Sequence, residues 1–421
     1  MDSRLAKLPD PRKSREYSIG EIAFGGVSMF LLHQDSRNAF NNDRKDPNFT
    51  RNYSHFFQKR LPHMDTVADV FELLPQEALE DFKADLIYRL IRKKTFEDQR
   101  FQGKYLVAID GTGIVSFDHK HCEHCLTKTS KKGHVTYFHN VLEAKLITAS
   151  GVSMSIASEW ISNEGKKDFE KQDCERNAFK RLALKIKKEY PRLPIILLAD
   201  GLYPWKGFFD ICLQNQWSYI VTLQDKSLKN LQQEIDWEYR ITPNQQRTVC
   251  RVKDKNPLSL NYHWLSGLEY GKHKLNWVEC NETTRYPKHP DKNPTKQRFV
   301  HLTDLPIDSD KCVAISDNGR LRQKIENEGF NIQKNHGYNL EHKFARNSFL
   351  GMKNFYQCLQ IAHIINQLVV LSVNINKILT TDKKLSVKYL WKRMMSFLLE
   401  GTLEGFEFIS MKTKRFQVRL C

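Results

Sequence analysis

Two aspartates stand in matching settings. Tyr105-Leu-Val-Ala-Ile runs into Asp110 and then Gly111-Thr-Gly113, while Ile195-Ile-Leu-Leu-Ala runs into Asp200 and Gly201. A short apolar run bounded by turn residues predicts a buried strand. Each strand would deliver its carboxylate to the end of a sheet. Carboxylate oxygens suit a hard divalent cation: Mg²⁺, with Mn²⁺ as its substitute, takes one or two of them and keeps waters or phosphate oxygens. Two such ions about 4 Å apart hold the attacking and the leaving oxygen of a phosphodiester displacement. The blander reading of either aspartate alone is a helix or turn cap. Two of them on neighbouring strands of a basic chain favour the cation.

A third carboxylate has to reach such a site, and Gly319 to Lys334 offers Glu326 and Glu328, with Glu341 further on. Arg322 and Glu326 are four apart and so share a helix face. Arg322 would then stand beside the acids, able to hold a DNA phosphate bidentately; the alternative is a plain surface ion pair. Glu328 points roughly 200° away from Glu326 around a helix, so only one of the two can face the site. Cys122 and Cys125 have C-x2-C spacing that invites zinc, with His134 and His139 the near options for further ligands, against a metal-free turn. Lys128, Lys131 and Lys132 follow directly and are candidates for DNA phosphate contact or for a solvated face. Lys383, Lys384, Lys388, Lys392 and Arg393 repeat that choice near the C-terminus. Gly111-Thr-Gly113 lacks the Gly-Lys-Ser/Thr of a nucleotide phosphate loop.

The elements that must position these groups follow from periodicity. Residues 1–100 read as helical, with Ser18 a plausible N-cap before Ile19, Ile22, Ala23 and Val27. His33 to Asn52 is a polar stretch. Strands are predicted at Tyr105–Asp110, Val135–Thr148, Val152–Ile161, Ile195–Ala199 and Trp217–Leu223, with an amphipathic helix over Asp173–Tyr190. Residues 226–305 read mostly as strand, and helices follow over Asn347–Val373 and Ser386–Leu399. A final strand is expected at Phe416–Leu420. Three strands, a helix, a strand, and then helix or strand is the ribonuclease-H-like plan: an α/β mixed sheet flanked by helices. Here it carries a β-rich insertion (226–305) between two core parts (101–225 and 306–421), behind the N-terminal helical region.

Lys and Arg number 66 against 49 Asp and Glu, a net charge of +17, so the expected partner is a polyanion. With 40% hydrophobic and 27% charged residues the composition is that of an ordinary globular chain. The N-terminus lacks the apolar core of a secretory signal. His363, Asn366, Gln367 and Ser372 interrupt the most apolar stretch, so no membrane span is expected. Nine scattered cysteines fit a reducing, cytoplasmic setting better than a disulfide framework.

At these residues the chain resembles insertion-sequence DDE transposases of the group with a β-rich insertion between the second Asp and the Glu. The likeness lies in LVAIDGTG, LLADGLY, TDLPID, R-x-x-IENEGFN and the C-terminal RFQVRL, with a leader similar to LPDPRK, and it spans residues 8–420. It implies Asp110, Asp200 and Glu326 as the metal-binding catalytic triad. The group's signature around the Glu is Tyr-x2-Arg-x3-Glu-x6-Lys. Arg322 and Glu326 fit it; Gly319 replaces the Tyr, Gln333 replaces the Lys, and Lys334 comes one place late as a DNA-backbone contact. The implied reaction is Mg²⁺-dependent cleavage of transposon ends in double-stranded DNA, then strand transfer into target DNA. A homodimer or higher multimer on the bacterial nucleoid would carry it out. Hairpin steps in such enzymes hold bases out of the stack, and Trp237, Trp264 and Trp277 are candidates to stack on one, or else core residues. The competing expectations are a transposase-derived DNA-binding protein without cleavage, and a related nuclease without strand transfer.

Overall fold

The computed structural model describes residues 2–163, 172–289, 291–381 and 385–401. The strand expected at Phe416–Leu420, and Lys383 and Lys384, lie outside the described residues. Among those described, ten strands join one mixed sheet: β1 (Tyr105–Phe117), β2 (Leu126–Thr129), β3 (Val135–Ile147), β4 (Ser153–Ile161), β5 (Ile195–Ala199), β6 (Ser218–Thr222), β7 (Gln246–Lys253), β8 (Asn256–Tyr270), β9 (His273–Thr284) and β10 (Thr295–Thr303). The order is β2-β3-β1-β5-β6-β10-β9-β8-β7. β4 shares the outer edge of β3 with β2, pairing along Asn140–Ile147 where β2 covers Val135–Phe138. β5 runs parallel to both β1 and β6; the remaining pairings are antiparallel.

The first half of the helices comprises α1 (Asp2–Leu5), α2 (Ile19–Leu31), α3 (Arg37–Arg44), α4 (Pro47–Phe57), α5 (Met64–Phe71), α6 (Gln76–Arg92) and α7 (Glu175–Glu189). The rest are α8 (Lys206–Asn215), α9 (Lys229–Ile241), α10 (Lys311–Arg320), α11 (Ile332–Asn335), α12 (Phe349–Val370), α13 (Val373–Thr381) and α14 (Val387–Glu400), with a π-helical turn over Ile325–Asn331. Ser18 does cap α2: its hydroxyl accepts from the Glu21 amide, and the Glu21 carboxylate accepts from the Ser18 amide. The polar stretch after it folds into α3 and α4, capped by Ser36 and Asp46. These helices bury only Phe40, Asn41, Phe49, Asn52 and Tyr53, too sparse a stripe to show as periodicity.

Two further expectations are corrected. The strand carrying Asp110 does not stop there: β3 pairs with it from Leu106 to Phe117, so β1 continues for 13 residues. What ends near Asp110 is the parallel pairing, because β5 runs beside β1 only over Tyr105–Ala108. The segment 226–305 opens with a helix, α9, held by buried Leu231 and Ile235 at i,i+4 spacing. Its strands then extend the main sheet, since β10 pairs with β6.

The two faces of the central strands bury different partners. Val107, Ile109, Leu197 and Ala199 pack with Phe179, Leu182 and Phe208 of α7 and α8. Leu106, Ala108, Ile196 and Leu198 pack with Ile315, Ile325 and Phe330 from α10 and the π turn. The N-terminal helices share a third cluster with α12, where Phe30, Phe71, Phe355 and Leu359 meet the outer part of β1 at Ile114 and Phe117. The polar residues that interrupt the apolar stretch of α12 hold this arrangement together. Gln367 exchanges two hydrogen bonds with the Ser153 backbone, at 2.8 and 2.9 Å, and Asn366 donates to the Tyr338 hydroxyl at 2.8 Å. No single helix among the described residues is long and apolar enough to cross a membrane.

Candidate active site

The register of β1 and β5 decides where the two aspartates go. Tyr105 lies opposite Ile195 and Ala108 opposite Leu198. One more two-residue step along both strands brings Asp110 level with Asp200, where the pairing has just ended. Side chains at alternate positions share a face, so both carboxylates leave on the face of Leu106, Ala108, Ile196 and Leu198. That is the face covered by α10 and the π turn. Asp200 then closes a local turn, its Oδ1 accepting from the Leu202 amide at 2.9 Å.

Burying Ile325 and Phe330 against this face fixes how the chain after α10 runs. Arg322 is thereby turned toward the aspartates: its Nη1 lies 3.3 Å from Asp110 Oδ2, and its Nη2 donates to Glu326 Oε1 at 2.8 Å. Glu328 and Glu341 face elsewhere, Glu328 to Lys324 at 2.7 Å and Glu341 to Lys334 at 2.8 Å. Glu326 is therefore the acid of this segment that shares Arg322 with Asp110. It sits on a π turn, a geometry frequent at functional sites because it re-aims side chains within a helix.

A fourth carboxylate, which the sequence did not mark, comes from the opposite face. Glu175, at the start of α7, approaches β1 over Gly111; a Cβ there would stand 2.6 Å from Glu175 Oε1. Gly111 thus leaves room for the acid. The crowding shows in protonation. The Asp110 carboxyl is pushed up to about 7, chiefly by burial, with Arg322 opposing and Glu326, Asp200 and Glu175 adding to the rise. Burial and the nearby Asp200 also raise Glu175. Glu143, the cross-strand neighbour of Asp110, is buried and accepts from the Tyr356 hydroxyl at 2.7 Å.

The chemistry of these donors, though not their present spacing, suits a divalent cation. The donors are all carboxylates, the set that Mg²⁺ or Mn²⁺ prefers, and Arg322 is the cation lying against them. The acids do not close around a single point: among the described residues, the only group of three metal-binding side chains whose donor atoms lie within 4.8 Å of one another is Cys122, Cys125 and His139. Between Asp110 and Glu326 lies the guanidinium. Its Nη1 is buried, pairs with Asp110 at 3.3 Å and makes no hydrogen bond. Beside Arg322 opens a cavity of about 440 Å³ between the end of β6, the middle of β10 and the end of α10, lined also by Gln224, Arg298 and Arg320.

The remaining candidates scatter. Lys128, Lys131 and Lys132 are exposed on and beside β2, at the hairpin into β3. Lys334 is tied to Glu341, which weakens its case as a backbone contact. Trp277 is 2% exposed and packs edge-on against Tyr239, so it cannot stack on a base; it is core. Trp264 is half-buried against the core, and of the three tryptophans Trp237 is the exposed one, on α9 rather than on a strand.

Replacing Arg322 with Ala should lower turnover by about 10- to 100-fold if its guanidinium holds a scissile phosphate. Steady-state cleavage rates check this, and wild-type turnover would reduce Arg322 to an ion-pair partner of Glu326. No family model matches this chain, and no curated protein matches it.

Proposed function

We propose that the chain is a DDE-type DNA transposase that cuts the ends of its element and joins them to target DNA through Asp110, Asp200 and Glu326. One observation carries the reading: the register of two parallel strands sets Asp110 level with Asp200, on the face that the Arg322–Glu326 segment covers. The strand order supports it. β4, β3 and β1 are antiparallel neighbours, β5 and β6 follow in parallel on the other side of β1, and the acids stand on the first and fourth of these in chain order. It supports reading the sheet as a ribonuclease-H-like core with β7 to β10 in the place of the insertion.

Mg²⁺ held by the three carboxylates would supply Lewis-acid activation of water, or of a 3′-hydroxyl, and charge neutralisation at the phosphate. The chain's own groups do the rest. Asp110 stands within β1 and Asp200 directly after β5, so the sheet positions both before DNA arrives. Arg322 exchanges its contact with Asp110 for a phosphate oxygen and orients the strand to be cut. The net charge of +17 gathers DNA along the surface.

The departures from the group's signature have physical reasons here. A Cβ at Gly319 would lie 2.8 Å from the His301 ring and from Ile220 Cγ2, so the position allows no side chain. Gln333 is buried; its amide donates to Gln360 at 2.9 Å and lies 2.9 Å from His363. It braces α11 against α12 and does not reach DNA.

The test is a labelled duplex carrying the sequence that flanks the coding region, incubated with the full chain and Mg²⁺. Cleavage and joining to a second duplex are expected. Cleavage without joining favours a nuclease, and salt-sensitive binding without cleavage favours a DNA-binding derivative.

A further inference from the structure

Away from the carboxylates, the connection leaving β1 brings three soft donors together. Cys122 Sγ lies 3.5 Å from Cys125 Sγ and 3.3 Å from His139 Nε2, and Cys125 Sγ lies 3.5 Å from the same nitrogen. We propose that Cys122, Cys125 and His139 form a zinc site that fastens this connection to β3. The inference is independent of the recombinase reading.

The geometry matches a small tetrahedral ion. Zinc–sulfur bonds of about 2.3 Å and a zinc–nitrogen bond of about 2.0–2.1 Å at tetrahedral angles set the sulfurs ~3.8 Å apart and each sulfur ~3.6 Å from the nitrogen. The observed triangle is tighter by about 0.1 to 0.3 Å on its three sides. A disulfide would need its sulfurs at about 2.05 Å, so these are two separate thiols. Hydrogen bonding alone satisfies the cluster poorly, since one imidazole nitrogen has one lone pair and two thiols converge on it. A cation takes both sulfurs and the nitrogen together, each thiol releasing its proton to water as the thiolate binds.

The surroundings hold the donors in place. His139 is wholly buried in β3, across from Val115 of β1, and Phe349 stacks on its ring at 4.5 Å. Asn163 Nδ2 donates to the Cys125 carbonyl at 3.2 Å, which ties the exit of β4 to the same point. His124 stacks on the same Phe349 at 5.1 Å and is the candidate for the fourth position, with water as the alternative. The ion would thus join the exits of β1 and β4 to β3 and to the start of α12. The sequence showed the cysteine pair; choosing His139 over His134 required the β1–β3 register.

The full chain, purified without chelator from zinc-supplemented cells, should carry about one zinc per chain. Cys122→Ser/Cys125→Ser should lose that zinc, while Cys174→Ser, an exposed thiol, should keep it. Because the double variant could fail to fold, the second measurement uses the wild-type chain, stripped and titrated with Co²⁺. Thiolate-to-cobalt charge-transfer absorption and tetrahedral ligand-field bands are expected. A wild-type chain that gives neither zinc nor those bands, or a folded double variant that retains its zinc, overturns the site.

Discussion

Replacing Asp110 or Asp200 with Asn should lower DNA cleavage on the order of 10³-fold or more, equivalent to about 4 kcal/mol of transition-state stabilisation, while salt-sensitive DNA binding stays near wild type. Asn keeps the shape and removes the charge that a divalent cation needs, and on the proposed reading DNA affinity comes from the net charge of +17. For Asp110 the same substitution has a second consequence with a defined pH window. Its carboxyl is raised to about 7 from an ordinary value of 3.8, so the folded state holds the proton more tightly than the unfolded chain does. The associated stability is fully present below pH 4 and is lost as pH rises through 7. In metal-free protein Asp110→Asn should therefore match wild type near pH 4 and exceed it increasingly up to pH 7, by a few kcal/mol and about 4 at most. Thermal or urea unfolding of both proteins across that range checks it. Added Mg²⁺ should narrow the gap by stabilising wild type alone. A gap that does not change with pH would mean that burial and the acidic neighbours do not raise the Asp110 carboxyl.

The second large effect separates the three glutamates. Glu326→Gln should reduce cleavage about 10²- to 10³-fold, whereas Glu328→Gln and Glu341→Gln should stay within a few-fold of wild type. The reason lies in their partners: Glu326 shares Arg322 with Asp110, while Glu328 and Glu341 are held by Lys324 and Lys334. Single-turnover rates on the labelled end decide it. Loss of activity in Glu328→Gln with normal cutting by Glu326→Gln would reassign the third acid and would require the π turn to rotate in the DNA complex.

Much of the scaffold was legible because apolar runs are unambiguous when a strand is buried on both faces. β5 shows as Ile195–Ala199 with no polar residue, and the acid after it stands out for that reason. The extent of β1 was not legible, since Gly111 and Gly113 look like a turn and only pairing with β3 keeps them extended. Glu175 carried no local signal: its place depends on a missing side chain at Gly111, on a strand far away in sequence. α9 was hidden because Trp237 and Tyr239 are strand-favouring types, while its helical stripe is only Leu231 and Ile235. Buried Glu143 and Lys145 were equally silent; their partners Tyr356 and Gln360 sit on α12, more than 200 residues along the chain.

Iron-directed backbone cleavage tests most directly whether the acids form one cation pocket. Fe²⁺ with ascorbate and peroxide cuts the polypeptide beside the bound ion, and the fragments locate it. Cuts near residues 110, 200 and 326, appearing together and suppressed together by Mg²⁺, are the predicted result. Fragments that end only around residues 122–139, with none near the aspartates, would contradict it.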